Sequence, residues 1–307
     1  MKAGLWILAG LLAFLACEDD PTTLPPGESP TATFDLTRSN DTTILVDASA
    51  SAAGAGSSTL WVRWDWQDDG VWDTEWSQTK TAAHDYGTEG TWTIRLEVGN
   101  ETRRLDQTTH PVTVLRLLTP EKVIQGLVTA YRNMDRFLLA DLLVDDPARN
   151  AEYVFLLSAP TDVGETQWGY AEEVRIHHRM FEPWSPPPGD PPVAAELWLQ
   201  WLFVTLQPLE AFAERTDLYT TNGGPLDPAS WRAVDARYST YALFDLAGTD
   251  YMVQGAANFV VLEDLTKDAG DVGKFLLYIW EDIESAPNRA PHVSSTSSWS
   301  MMKALFR

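Results

Sequence analysis

The order of apolar and polar positions divides the chain into three stretches. Residues 5–16 form an unbroken run of apolar or small residues behind Lys2. From about residue 30 to 115 the pattern has a period of two. Across residues 91–98 every even position is apolar and every odd one polar, which predicts a strand with one face on a core. Residues 60–66 repeat this with Val62, Trp64 and Trp66 on one face, and Trp92 joins them from the later strand. Residues 43–46 and 111–114 add short strands, and Asp69-Gly70 marks a tight turn. A small antiparallel β-sandwich is the expected result.

After Leu118 the period lengthens to that of a helix. Thr119 can cap, Pro120 suits the first helical position, Glu121 favours the helix dipole and Leu118 can staple onto Val123. Val123, Leu127, Ala130, Tyr131, Met134, Leu138 and Leu142 recur at steps of three and four, predicting one long amphipathic helix through Leu143. Residues 152–158 read as a strand. Residues 168–181 read as a second helix with Ala171, Val174, His178 and Phe181 along one stripe. A proline-rich loop follows to Pro192, then long strands at 195–206, 210–219, 231–246, 250–264 and 274–284, with glycine turns at 223–224 and 270–273. The expected unit is α+β, a curved antiparallel sheet wrapping a helix.

Charge narrows the choice of partners. The formal net charge is −22, of which residues 18–30 carry −4, residues 31–115 carry −7 and residues 116–307 carry −12. Neither unit is basic, so nucleic acid is disfavoured as a partner. The apolar run at 5–16 is too short to span a bilayer as a mature helix and suits a signal peptide. It ends in Phe14-Leu15-Ala16-Cys17, which resembles a lipobox, and Cys17 is the single cysteine of the chain. The resemblance implies a lipoprotein: signal peptide 1–16, a lipidated Cys17, and an acidic, proline-rich tether at 17–29. The expected location is the cell envelope, lipid-anchored, with Glu18 after the cysteine favouring the outer over the inner membrane.

Two further resemblances concern the folded units. Residues 46–51 (Val-Asp-Ala-Ser-Ala-Ser), 63–70 (Arg-Trp-Asp-Trp-Gln-Asp-Asp-Gly), 83–86 (Ala-His-Asp-Tyr) and 90–98 follow the successive motifs of a polycystic-kidney-disease (PKD) domain. Residues 30–115 thus resemble that immunoglobulin-like family, which implies a spacer or a contact module for protein or glycan. Gln67-Asp68 stands where the motif has glycine, so a longer turn is expected after Trp66. Residues 119–124, 130–135, 168–173, 273–282 and 299–305 carry a resemblance of 117–307 to the nuclear-transport-factor-2-like (snoaL-like, cystatin-like cone) superfamily. The fold class is then multidomain, an all-β immunoglobulin-like sandwich (PKD-like) plus an α+β cone.

Candidate chemistry is sparse. Asp65, Asp68, Asp69, Gly70 and Asp73 are spaced rather like a calcium loop, but Gln67 stands where the loop wants Asp or Asn and Trp76 where it wants Glu, favouring a solvated acidic hairpin. Trp72, Trp76 and Trp61 are candidates for a sugar platform or an interdomain contact. Tyr131, Asp135, His178, Trp198, Tyr241 and Trp280 are candidates to line a cone pocket, with His178 or Asp135 as acid–base group if the unit is an isomerase, dehydratase or cyclase. His177 and His178 are adjacent and diverge by about 100° on a helix, which excludes a two-histidine metal site. No metal set and no cofactor motif appears, nor any nucleophile elbow or P-loop. The leading expectation is a non-catalytic envelope lipoprotein; open partners are protein, glycan, a small apolar ligand or a second copy.

Overall fold

The computed structural model describes residues 28–39, 42–157, 166–268, 271, 274–283, 296–297, 299–304 and 306–307. Cys17, the expected signal peptide and nearly all of the expected tether lie outside the described residues. Among those described, no helix is long and apolar enough to cross a membrane.

The first unit contains β1 (Asp35–Arg38), β2 (Thr43–Asp47), β3 (Leu60–Asp65), β4 (Thr81–Asp85), β5 (Gly90–Asn100) and β6 (Leu105–Val114). Two antiparallel sheets form, β1-β2-β4 and β3-β5-β6. Between them lie Phe34, Ile44, Val46, Val62, Trp64, Trp66, Ile94, Leu96 and Val98, the apolar half of each alternation. This is an immunoglobulin-like sandwich, and its main strands sit where the period-two pattern puts them. Trp92 is half-buried and stacks on Tyr86 at 4.2 Å, while the Tyr86 hydroxyl donates to the Trp66 carbonyl at 2.8 Å.

The second unit runs α1 (Pro120–Asn133), α2 (Arg136–Leu142), β7 (Asp145–Asp146), β8 (Ala151–Glu152), β9 (Val154–Leu156), β10 (Gln167–Gly169), α3 (Tyr170–Phe181), β11 (Leu199–Pro208), β12 (Ala213–Glu214), β13 (Trp231–Leu246), β14 (Thr249–Asp264), β15 (Phe275–Ile283), β16 (Thr296–Ser297) and α4 (Trp299–Ala304). Its sheet has the order β10-β9-β15-β14-β13-β11, with β12 beside β13 and β16 beside β14. The last four long strands form the expected antiparallel meander, and β9 joins β15 in parallel.

Three expectations change. The single long helix is two: Met134 turns left-handed (φ 51°), and Asp135 caps α2 by accepting the Leu138 N–H at 2.8 Å. The apolar stripe continues through the break, which is why its period hid the kink. A strand at 210–219 reduces to the two residues of β12 followed by 3₁₀ turns; there the Gly223-Gly224 reversal brings residue 224 against the Leu218 backbone, closer than any Cβ allows. The buried face of α3 is Glu173, Ile176, His177, Met180 and Phe181, one position away from the stripe through His178.

The units are joined. Arg38 reaches from β1 to the Leu115 carbonyl (2.6 Å), the Thr113 carbonyl (3.1 Å) and Asp141 of α2 (3.2 Å). Glu182 collects His110 from the sandwich at 3.3 Å, with Arg136 at 3.0 Å and His178 at 3.4 Å from the second unit. Burial opposes ionisation of Glu182, but these partners outweigh it and hold its carboxyl far below the usual range.

Candidate functional site

Among the described residues, the centre of the second unit is closely packed. Tyr131 and Trp280 are fully buried, their rings 6.1 Å apart, and Trp299 of α4 packs on both at 5.0 and 5.3 Å. They form core against the chain's own C-terminal segment, and the expected lining of an open pocket is corrected for both. Tyr241 is half-buried and alternates out of phase with the buried Tyr238, Thr240, Ala242 and Phe244 on β13, so it lies on the opposite sheet face. Trp198 is half-buried, and its indole N–H donates to the Val193 carbonyl (3.0 Å), closing the proline-rich loop. Asp135 is a buried helix cap whose pKa burial raises to about 6. His178 faces the interdomain contact with Glu182, away from the interior.

The interior charge comes instead from residues the sequence pattern passed over. Glu173 is buried with Lys303 of α4, which donates to its Oε1. Tyr153 donates to the same oxygen at 3.2 Å and Trp168 Nε1 to Oε2 at 2.5 Å. The ammonium lies over the rings of Phe155 (3.7 Å) and Trp280 (3.9 Å). Burial lowers Lys303 to about 8, so it is charged at neutral pH. Burial acts against the Glu173 carboxylate too, yet Lys303 and its other partners keep it below the ordinary value and ionised. His177 is buried and lowered to about 4, hence neutral; its Nδ1 contacts the Glu173 carbonyl oxygen at 2.8 Å and its Nε2 the Tyr131 hydroxyl at 2.6 Å. Glu173, His177 and Phe181 at steps of four were the available signal, obscured because a charged residue does not read as core.

The sandwich presents a different surface. Outward positions of its second sheet pair in rows: Trp61–Gly99–Leu105, then Arg63–Glu97–Gln107. The loop after β3 folds back over these rows, held by Val62 N–H to Ser77 O (2.8 Å) and Asp73 N–H to Trp64 O (2.9 Å). It brings Trp72 and Trp76 against Arg63, whose guanidinium lies over both rings, 4.2 and 4.5 Å from their centres. Arg63 Nε donates to Glu97 at 2.6 Å, fixing the guanidinium. Gly99 makes room: a Cβ there would stand 3.1 Å from Leu105 and 3.3 Å from Trp76. The result is an open groove of about 490 Å³ lined by Trp61, Arg63, Trp76, Gly99, Asn100, Arg103 and Leu105. Trp76 remains 38% exposed and Leu105 52% exposed.

The acidic turn beside this groove has its carboxylates occupied. Asp65 accepts from the backbone N–H groups of Gln67, Asp69 and Gly70, Asp73 from that of Trp66, and Asp69 from that of Val71. Asp68 pairs with Arg95 and takes a left-handed conformation (φ 56°) where the motif has glycine.

No family model matches the chain, and no curated protein matches it. Among solved structures, the PKD1 domain of Vibrio anguillarum Epp is similar at 19% identity, covering 29% of this chain and 96% of that one, with a TM-score of 0.25. The PKD1 domain of the Vibrio cholerae metalloprotease PrtV is similar at 17% identity, over 28% of this chain and 98% of that one, with a TM-score of 0.24. A structure of carbohydrate-binding modules of the beta-sandwich superfamily, described in terms of their promiscuous specificity, shares 13% identity. That match covers 72% of this chain and 60% of the other, with a TM-score of 0.27.

Proposed function

We propose that this protein is a non-catalytic polysaccharide-binding protein of the bacterial cell envelope, anchored through Cys17. Its sandwich is a PKD-like module, and its second unit, a variant of the nuclear-transport-factor-2-like cone, is the rigid base to which that module is fixed. The supporting observation is the groove of Trp61, Arg63, Trp76 and Leu105. Sugars offer apolar C–H faces that pack on indole rings, and hydroxyls that need charged or amide partners at the rim. Arg63 holds both tryptophans of its stack in place before a ligand arrives, which limits the ordering cost of binding. Arg103 supplies a polar group at the groove's end, while the buried Asn100 side chain is spent on the Glu28 and Ala53 carbonyls and on the turn to Arg104.

The test is retention of the full chain, as a soluble Cys17→Ser protein, on insoluble cellulose, chitin and peptidoglycan. Retention on at least one, weakened about tenfold or more by Trp76→Ala, is the expected result, since truncating a central tryptophan typically costs 2 kcal/mol or more. Retention on none of them, or retention indifferent to Trp76→Ala and Trp61→Ala, would remove this function from the groove.

A further inference from the structure

We propose that the interior of the second unit is a receptor for a primary alkylammonium group, and that Lys303 occupies it as a ligand supplied by the chain itself. The groups that recognise the ammonium all precede the C-terminal segment. Glu173 comes from α3, Phe155 from β9, Tyr153 from the residue before it, Trp168 from β10 and Trp280 from β15. They are organised without help from the lysine. Tyr153 and Trp168 each hold one carboxylate oxygen of Glu173, at 3.2 and 2.5 Å, and Phe155 stacks on Trp168 at 4.7 Å. One oriented carboxylate and two aromatic faces at 3.7 and 3.9 Å make a complete site for a compact cation bearing several N–H donors.

The ligand half is the last stretch of the chain, and it is secured at both ends by separate polar contacts. Ser300 donates its N–H and hydroxyl to Asp282 Oδ2 at 3.0 and 2.6 Å. At the other end Arg179 holds the Phe306 carbonyl oxygen at 2.7 Å, and Arg307 reaches Glu172 at 2.8 Å. Its only strand pairing with the sheet, among the described residues, is the two-residue β16. A core helix serving stability alone would be served at least as well by an apolar side chain in place of the lysine, because a buried ion pair seldom outperforms a hydrophobic pair of equal volume. The site therefore suits a primary ammonium, and Lys303 supplies one from the chain itself. A guanidinium is too broad and flat for it, and a neutral alcohol leaves Glu173 uncompensated.

The experiment uses the full Cys17→Ser chain carrying Lys303→Ala, which keeps a good helix former while vacating the slot. Thermal unfolding is followed as n-butylammonium chloride is added, with sodium chloride matching the ionic strength. A saturable rise in Tm is expected, because a ligand that binds only the folded state stabilises it by mass action. n-Butanol and ethylguanidinium should give no saturable rise, and neither should n-butylammonium when Glu173→Gln is added. An equal response to n-butanol, or none to n-butylammonium, would overturn the proposal. If Lys303→Ala does not fold, tryptic cleavage after Lys303 in the parent chain decides. n-Butylammonium should accelerate release of residues 304–307 saturably, and an unchanged rate would overturn it. Neither outcome bears on the groove of the sandwich, whose own test is independent.

Discussion

The molecule holds two arrangements of one cation, two aromatic rings and one carboxylate. On the sandwich, Arg63 lies over the rings of Trp72 and Trp76 and is tied to Glu97. Inside the second unit, Lys303 lies on Phe155 and Trp280 and is tied to Glu173. Water separates their consequences. Arg63 keeps part of its hydration and leaves rings open at the edge of a groove, so the arrangement serves recognition from solution. Lys303 has no exposure, so every electrostatic interaction it makes is strong and every loss of a partner is costly.

The largest effect should come from breaking the interior pair. Glu173→Ala strands a buried ammonium and should cost about 3–5 kcal/mol in denaturant titration, whereas Arg63→Gln should cost about 1 kcal/mol or less. Adding Lys303→Met to Glu173→Leu should recover most of the loss, because a packed apolar pair replaces the ions. Recovery failing there would mean that the ions, and not their pairing, hold α4 in place.

Acidity separates the sites next. Lys303 releases its proton near pH 8 when folded and at about 10.4 when unfolded. Between those values the unfolded chain holds the extra proton, so this group makes stability rise with pH. The stability gap between the parent protein and Lys303→Met should therefore move in favour of the parent from about pH 8 to about pH 10. A pH-independent gap would contradict the buried ammonium. Asp135 gives the opposite slope at the domain junction. Its folded value of about 6 lies above the unfolded value of about 3.9, so its stabilising contribution is full below the latter and lost as pH rises through the former. Asp135→Asn keeps the cap and should be more stable than the parent at neutral pH, with the advantage gone near pH ~4.

The smallest change is Gly99→Ala. The added methyl presses on Leu105 and Trp76, so a few-fold loss of glycan affinity with a stability change of about 1 kcal/mol is expected. Unchanged affinity would show that the ring of Trp76 need not lie flat on the sheet.

Much of the sandwich was legible because its strands alternate strictly, and the same alternation separated inward Trp64 from outward Trp61. In the second unit, β13 and β14 were legible to within a residue. The kink at Met134 was not, since apolar spacing carries straight through it. The interior site was the hardest to see. Its carboxylate and its ammonium are 130 residues apart, and both belong to types that pattern reading assigns to the surface. The stripe through His178 stands out over the one through His177 for the same reason, because Val174 looks more apolar than Glu173. The groove was legible in part: Trp61, Trp72 and Trp76 stood out, but Arg63 and Gly99, which position them, did not.

The most direct measurement is a two-dimensional ¹H–¹⁵N spectrum of the tryptophan indoles in the full Cys17→Ser chain, titrated with soluble fragments of whichever polysaccharide retains it. Signals assigned through Trp61→Phe, Trp76→Phe and Trp168→Phe distinguish the two sites. The Trp61 and Trp76 indoles should shift together and saturate while Trp168 stays in place. A saturating shift at Trp168 with Trp61 and Trp76 unmoved would contradict the account and place glycan recognition in the interior.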